Sequence, residues 1–195
     1  MITREHRLFL RRWLNHPIRV GAIAPSSRRL ADAIARLVPP GEGWVVELGG
    51  GTGVITAALL RAGVAPGRLA VIERDPALHG HLQARFPESR IVLGDAAHLA
   101  EALHPLGIAR VRAVVSGLPL LIFPRPVQDK IVRSAFDLLA PSGPYIQFTY
   151  GPMSPIGRER LGLEGRIARR IAVNLPPAYV WVYHRPGERR SGEAG

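Results

Sequence analysis

The chain has 195 residues, 47% of them apolar and 21% charged, with no cysteine and a formal net charge of +11. These totals exclude a disordered chain, a disulfide framework, a thiolate metal site and a cysteine nucleophile, and they fit one soluble globular domain. No uninterrupted apolar run approaches the roughly 18 residues of a spanning helix, and the Arg-rich first residues lack the apolar core and cleavage site of a signal peptide.

The charge is unevenly spread. Residues 1–38 hold eight Arg against Glu5 and Asp32, residues 39–156 hold ten basic groups against nine acidic ones, and residues 157–195 hold eight Arg against four Glu. A nearly neutral body lies between two basic ends. That distribution points to an anionic partner, either a membrane surface or a nucleic acid. An Arg-rich genome explains the preference for Arg (Lys130 is the only lysine) but not the clustering.

Residues 4–14 predict a short helix that ends before Pro17. At about 100° per residue, Ile2, His6, Phe9, Leu10, Trp13 and Leu14 share one arc. Arg4, Glu5, Arg7, Arg11 and Arg12 share the other, with Leu8 among them. Aromatics opposite arginines form the pattern of a helix lying in a membrane interface. The same pattern fits a helix that packs Phe9 and Trp13 on the body. Gly21 and Pro25 make the next stretch irregular, and Ser26 or Ser27 is placed to cap a helix over 28–38. Pro39-Pro40-Gly41 stops that helix.

Trp44-Val45-Val46 reads as a short buried strand. It leads through Glu47-Leu48-Gly49-Gly50-Gly51-Thr52-Gly53 into a helix over 54–60. A strand that turns through glycines into a helix N-terminus lets backbone approach a ligand closely and offers free N–H donors. The spacing is E-x-G-x-G-x-G. A dinucleotide fingerprint wants a third glycine where Val54 stands. The motif resembles the first motif of class I S-adenosylmethionine-dependent methyltransferases. The plainer alternative is an ordinary glycine turn of an α/β fold.

Leu69 to Ile72 predicts a second strand ending at Glu73. An acid at a strand end about 20 positions past the glycines can accept from both ribose hydroxyls. It can also be a surface acid paired with Arg74. Asp75 and Pro76 open a helix to about Phe86. His79 and His81 lie on different faces of it, so no metal pair is expected. Ile91 to Leu93 predicts a third strand, ending in Gly94-Asp95-Ala96. Asp95 can accept from an adenine amino group while the Ala96 N–H meets a ring nitrogen; Asp95 can also cap a helix over 97–103.

Val111 to Val115 predicts a fourth strand, which runs into Ser116-Gly117-Leu118-Pro119-Leu120-Leu121-Ile122-Phe123-Pro124. Ligands sit at the carboxyl edge of such a sheet, near its switch point. Nucleic-acid amino methylases carry an Asn/Asp-Pro-Pro-aromatic tetrad at this place. Here Ser116 is a weaker acceptor, and Leu120 stands where a stacking ring would be. A greasy loop suits an aliphatic ligand better than a flat base, and it also suits packing under the basic N-terminal helix. A helix over 127–139 and a strand over 145–150 follow. Strands over 166–173 and 178–184 then form a terminal hairpin. Alternation puts Tyr179, Trp181 and Tyr183 on one face and His184 on the other.

Taken together the motifs resemble the small soluble bacterial phospholipid N-methyltransferases, related in sequence to ribosomal RNA adenine dimethylases. The residues that carry this are Phe9 to Trp13, Val20 to Ser27, Val46 to Gly53, Ile72-Glu73-Arg74, Gly94-Asp95-Ala96 and Ser116 to Leu120. The resemblance implies an α/β, Rossmann-like class I methyltransferase fold. Its seven-stranded, mostly parallel sheet would end in an antiparallel hairpin and follow an N-terminal amphipathic helix. The expected division is 1–38 for the amphipathic and lid helices, 39–185 for the methyltransferase domain and 186–195 for a disordered tail.

The implied cofactor is S-adenosylmethionine, leaving as S-adenosylhomocysteine. Glu47, Gly49, Gly51, Gly53, Glu73, Asp95 and Ala96 would hold it. Ser116, Gly117 and Pro119 would form the transfer site, and Phe9, Trp13, Arg19, Tyr150 and His184 would meet the membrane or the lipid phosphate. The implied reaction is stepwise methylation of phosphatidylethanolamine toward phosphatidylcholine. It would be carried out by a cytoplasmic monomer, peripheral on the inner face of an anionic membrane, with no metal and no nucleic-acid partner. Two alternatives stand beside it. One is an RNA adenine N6-methyltransferase, weakened by the missing aromatic. The other is a non-catalytic membrane-surface module on a degenerate methyltransferase fold, opposed by the intact glycines and both downstream acids.

Overall fold

The structure is a computed structural model that describes residues 25–172 and 177–187. Its strands are β1 (Trp44–Leu48), β2 (Leu69–Glu73), β3 (Arg90–Leu93), β4 (Val111–Ser116), β5 (Tyr145–Thr149), β6 (Glu164–Ile171) and β7 (Ala178–His184). They form one sheet in the order β3-β2-β1-β4-β5-β7-β6. The first five are parallel, and β7 runs antiparallel to both β5 and β6. This is the α/β architecture expected, terminal hairpin included.

Parallel strands covered on both faces need apolar side chains on both, which explains the unbroken run of buried positions in β2. On one face α1 (Pro25–Ala35), α2 (Val54–Arg61) and α3 (Pro76–Arg85) bring Leu30, Ile34, Ala58, Leu59 and Leu82 onto Val45, Val71, Val115 and Ile146. On the other face α4 (Leu99–Leu103) and α5 (Arg125–Leu138) bring Leu99, Leu103, Ile131, Val132 and Phe136 onto Val46, Leu48, Val114 and Tyr145. Consecutive residues such as Val45 and Val46 therefore belong to different cores, as strand alternation requires. The edge strand β6 carries Arg166, Arg169 and Arg170, a composition that discourages pairing with another chain.

Several boundaries differ from expectation. α1 begins at Pro25, whose missing N–H and fixed φ suit a first turn, so Ser26 and Ser27 lie inside the helix rather than before it. α5 likewise begins at Arg125 with Pro126 in its first turn. The helix expected over 97–103 is a 3₁₀ turn, Ala96–His98, followed by α4. β6 starts two residues early and ends at Ile171. The amphipathic helix over 4–14, with Phe9 and Trp13, lies outside the described residues, as do Arg19 and the tail from residue 188.

Candidate active site

The strand order reverses between β2-β1 and β4, and a ligand crevice in such a sheet lies outside the carboxyl ends of the strands at this point. Main-chain bonds carry the ladders one rung past the strands. Gly49 N donates to Ile72 O at 2.8 Å, Gly117 N to Leu48 O at 2.8 Å, and Gly94 N to Glu73 O at 3.0 Å. Gly51 and Gly117 show what the geometry asks of its glycines. Gly51 has φ 54°, and a Cβ there would meet nothing within 4 Å, so the loop is open on that side. At Gly117 a Cβ would lie 2.9 Å from the Gly49 carbonyl oxygen; only glycine lets the β4 loop rest on the β1 loop.

Two acids stand at this edge in different states. Glu47 is fully buried in β1. The Thr56 hydroxyl donates to its Oε2 at 2.7 Å, while Oε1 is buried with no hydrogen-bond partner among the described residues. Burial pushes the carboxyl up to about 8; hydrogen bonds from Thr56 oppose the shift, and the Glu73 charge adds to it. A buried, half-satisfied carboxyl is costly unless a donor or cation completes it. Glu73, at the end of β2, is different. Its Oε1 accepts from the backbone of Arg74 (2.8 Å) and Asp75 (2.9 Å), and its Oε2 accepts from Gly51 N (2.9 Å). The alternative, a surface acid paired with Arg74, meets only that residue's main-chain N–H, and the carboxylate is turned onto the glycine loop. An ionised carboxylate offers about four lone-pair sites, so capacity is left for a further donor.

Asp95 follows β3. Its Oδ1 accepts from Ala97 N at 2.9 Å and caps the 3₁₀ turn, so the cap reading holds; the carboxylate remains exposed and Ala96 is buried beside it.

The loop after β4 is held from beneath. Ser116 is fully buried, its hydroxyl accepting from Leu118 N at 3.3 Å. Its hydroxyl therefore belongs to the scaffold. Gln147 of β5 is buried, and its Nε2 donates to Leu118 O at 2.9 Å and to Phe148 O at 3.0 Å. Leu120 N also donates to Leu118 O at 2.9 Å across Pro119, whose φ of −79° and ψ of 67° are those of an inverse γ-turn. The Leu118 carbonyl thus already has two donors. Gln147 went unnoticed in the sequence, although a lone amide inside Tyr145-Ile146-Gln147-Phe148 was the signal available.

Of the residues expected to meet an anion, Arg19 lies outside the described residues, and Tyr150 and His184 stand apart. Tyr150 directly follows β5, half-buried and edge-on to Phe148 at 5.8 Å between ring centroids. His184 stands away from the carboxyl edge. β7 runs antiparallel, with Tyr179 opposite Thr149 at the carboxyl edge and Tyr183 opposite Tyr145. His184 is one residue further still, only 3% exposed, and about 10 Å below the Ser116 row at roughly 3.3 Å per residue. Strand direction carries it away from the carboxyl edge and brings Tyr179 to that edge instead.

A cavity of about 530 Å³ lies at the opposite edge, lined by Arg36, Pro39, Arg61, Gly63 and Arg112. It is not part of this crevice. Among the described residues no cluster of His, Asp and Glu could hold a metal ion, and no helix is long and apolar enough to cross a membrane.

No family model matches the chain. A curated protein, the ornithine lipid N-methyltransferase of Singulisphaera acidiphila, is 37% identical to it over 153 residues, covering 74% of this chain and 78% of that one. Among solved structures, N-methyltransferase NodS from Bradyrhizobium japonicum WM9 in complex with S-adenosyl-L-homocysteine aligns with a TM-score of 0.69 at 17% identity, covering 93% of this chain and 98% of that one. TrmN from Thermus thermophilus aligns with a TM-score of 0.63 at 22% identity, covering 84% of this chain; the chain spans about half, 51%, of that protein. At these identities the two solved structures establish the shared fold alone.

Proposed function

Because the chain belongs to the lipid N-methyltransferase family of its Singulisphaera relative, we propose that it transfers methyl groups from S-adenosylmethionine to the free amine of a membrane aminolipid. The 37% identity over 153 residues is the observation that carries this reading. It favours an ornithine lipid as acceptor. The resemblance of residues 20–27 and 116–120 to phospholipid N-methyltransferases favours phosphatidylethanolamine and its methylated intermediates, on the way to phosphatidylcholine. The chemistry common to both is a primary amine on a headgroup that also carries an acidic group. Work on such a substrate places the protein on a membrane surface, and the basic ends of the chain support an anionic one.

The crevice fits the cofactor. Glu47, with its unpartnered Oε1, suits the methionyl ammonium. The open side of Gly51 suits close approach of the ligand to backbone, while Gly49 and Gly53, where a Cβ would meet Leu118 and Phe86, let the loop pack around that opening. Glu73 retains capacity for ribose hydroxyls, and the exposed Asp95 carboxylate beside Ala96 suits the adenine amino group. When bound, the cofactor supplies an electrophilic sulfonium methyl, whose S–C bond breaks as an N–C bond forms on an uncharged amine.

The chain's own contribution is position and dryness. The acceptor amine first loses a proton to water, so no strong base is required. The Ser116 and Gly117 carbonyls would orient its remaining N–H groups, since the Leu118 carbonyl is occupied. Pro119 and the apolar residues around it would exclude water from the transfer.

The test is transfer of labelled methyl into vesicles containing either phosphatidylethanolamine or an ornithine lipid, with ribosomal or transfer RNA as a parallel acceptor. Label in one of the lipids supports the reading and identifies the acceptor. Label in RNA alone overturns it.

A further inference from the structure

We propose that Arg170, laid over Tyr179 at the carboxyl edge of the sheet, holds the acidic group of the lipid whose amine is methylated; this rests on the aminolipid reading above. The argument starts from strand register. Leu48, Ser116, Gln147, Trp181 and Ile167 form one row across β1, β4, β5, β7 and β6. Two residues nearer the carboxyl edge the row reads Thr149, Tyr179, Arg170. Residues two apart on a strand share a face, and register partners share it too, so both rows lie on the face that carries Ser116. β5, β7 and β6 thus extend past the end of β4 as a shelf beside the Leu118–Phe123 loop.

β6 holds two consecutive arginines, and a bulge decides which of them reaches that shelf. The register shifts between Ile167 and Arg169, so Arg169 faces Val180 and Arg170 faces Tyr179. A bulge inserts one extra residue and re-aims the side chains beyond it. Arg169 is thereby sent to the opposite face, where its Nη1 donates to its neighbour's carbonyl, Ala168 O, at 2.7 Å.

The state of the Arg170 guanidinium fits recognition. It is exposed, and its Cζ lies 5.8 Å from the Tyr179 ring centroid. It makes no ion pair among the described residues. Nearby Arg160, by contrast, is clamped on Asp129 at 2.5 and 2.9 Å, and Arg158 donates to Gly165 O at 2.8 Å. A guanidinium laid on a ring is oriented by the stack, and its edge N–H groups stay free for bidentate bonds to a carboxylate or phosphate. Three strand spacings and two residues separate Arg170 from Ser116, about 16 Å between Cα atoms. The arginine side chain spans part of that. The remainder, about 10 Å, is filled by a headgroup in which four or five bonds part amine from acid, with a hydrogen bond at each end.

The experiment uses the full chain and mixed vesicles, with phosphatidylethanolamine, an ornithine lipid or a long-chain alkylamine as acceptor. Arg170→Ala should raise the apparent KM for the zwitterionic lipid by about ten-fold or more, the usual scale of a lost charge-assisted contact. It should leave the cofactor Kd and the alkylamine kinetics unchanged. The two lipid arms tell a phosphate from a carboxylate. Arg169→Ala, which removes the same charge from the other face, should change all three acceptors alike and only slightly. Equal losses for Arg169→Ala and Arg170→Ala would make the effect general attraction to the surface and overturn the proposal, as would an unchanged KM in Arg170→Ala. A parent chain that methylates neither lipid overturns the aminolipid reading itself, and this inference with it. That result is distinct from an active parent with an indifferent Arg170→Ala.

Discussion

The Glu73 carboxylate accepts a hydrogen bond from the Gly51 main-chain N–H at 2.9 Å, tying the end of β2 to the glycine loop that leaves β1. The same carboxylate holds the backbone N–H groups of Arg74 and Asp75. Replacing it with alanine leaves three main-chain donors without their acceptor. Glu73→Ala should lower stability by about 1–3 kcal/mol and weaken cofactor binding at least ten-fold. Thermal unfolding and calorimetric titration read the two effects. A folded variant that binds S-adenosylmethionine as tightly as the parent would remove Glu73 from the site.

Glu47 gives a pH dependence with a definite sign. Its carboxyl, pushed up to about 8 by burial, is mostly protonated near neutral pH in the free protein. A bound ammonium favours the ionised form, so cofactor binding should release a proton. Affinity should therefore rise with pH and level off near pH 8. Titration in buffers of different ionisation enthalpy measures the proton directly. Zero release at pH 7 would sink the pairing.

The same group makes a stability prediction. The folded state holds the Glu47 proton more tightly than the unfolded chain does. Stability from this group is therefore fullest below about 4.5 and is lost as pH rises toward about 8. Glu47→Gln should flatten that window and stabilise the free protein at pH 8 by on the order of 1–3 kcal/mol, while costing cofactor affinity. Denaturant unfolding across pH checks the sign.

Gln147→Leu should separate the transfer step from cofactor binding. It removes one of the two donors to the Leu118 carbonyl, and among the described residues Gln147 makes no hydrogen bond to the loops from β1, β2 and β3. The expected result is a lower kcat, an unchanged cofactor Kd and a stability loss of about 1 kcal/mol. A change in cofactor Kd with kcat intact would contradict this placement.

Gly117→Ala tests the contact between the two loops. The new Cβ would meet the Gly49 carbonyl oxygen at 2.9 Å, and main chain on both sides cannot yield cheaply. A loss of about 1–3 kcal/mol and of most activity is expected. Gly67→Ala, with nothing within 4 Å of the added atom, is the neutral control.

The loops proposed to hold the cofactor were legible because their signals are local. Glu47, the glycines, Glu73 and the Asp75 cap each follow from spacing within one strand–turn–helix unit, and the structure sets them along one edge. The acceptor half was less legible because its residues meet only through pairing. His184 read as a site residue until the antiparallel direction of β7 carried it away from the carboxyl edge. Gln147 acquires its meaning only from Leu118, 29 positions earlier. The shift that separates Arg169 from Arg170 leaves no mark in an alternating pattern. α1 was misplaced at its start because Pro25 was read as a breaker, whereas a first turn accepts it.

The sheet thus splits its work from side to side. The loops that suit the donor leave β1, β2 and β3, and the groups that suit the acceptor stand on β4, β5, β7 and β6. On the proposed reading, substitutions on the hairpin side would exchange one headgroup for another while the donor side stayed as it was. A change of substrate on such a scaffold would then need changes along one flank only.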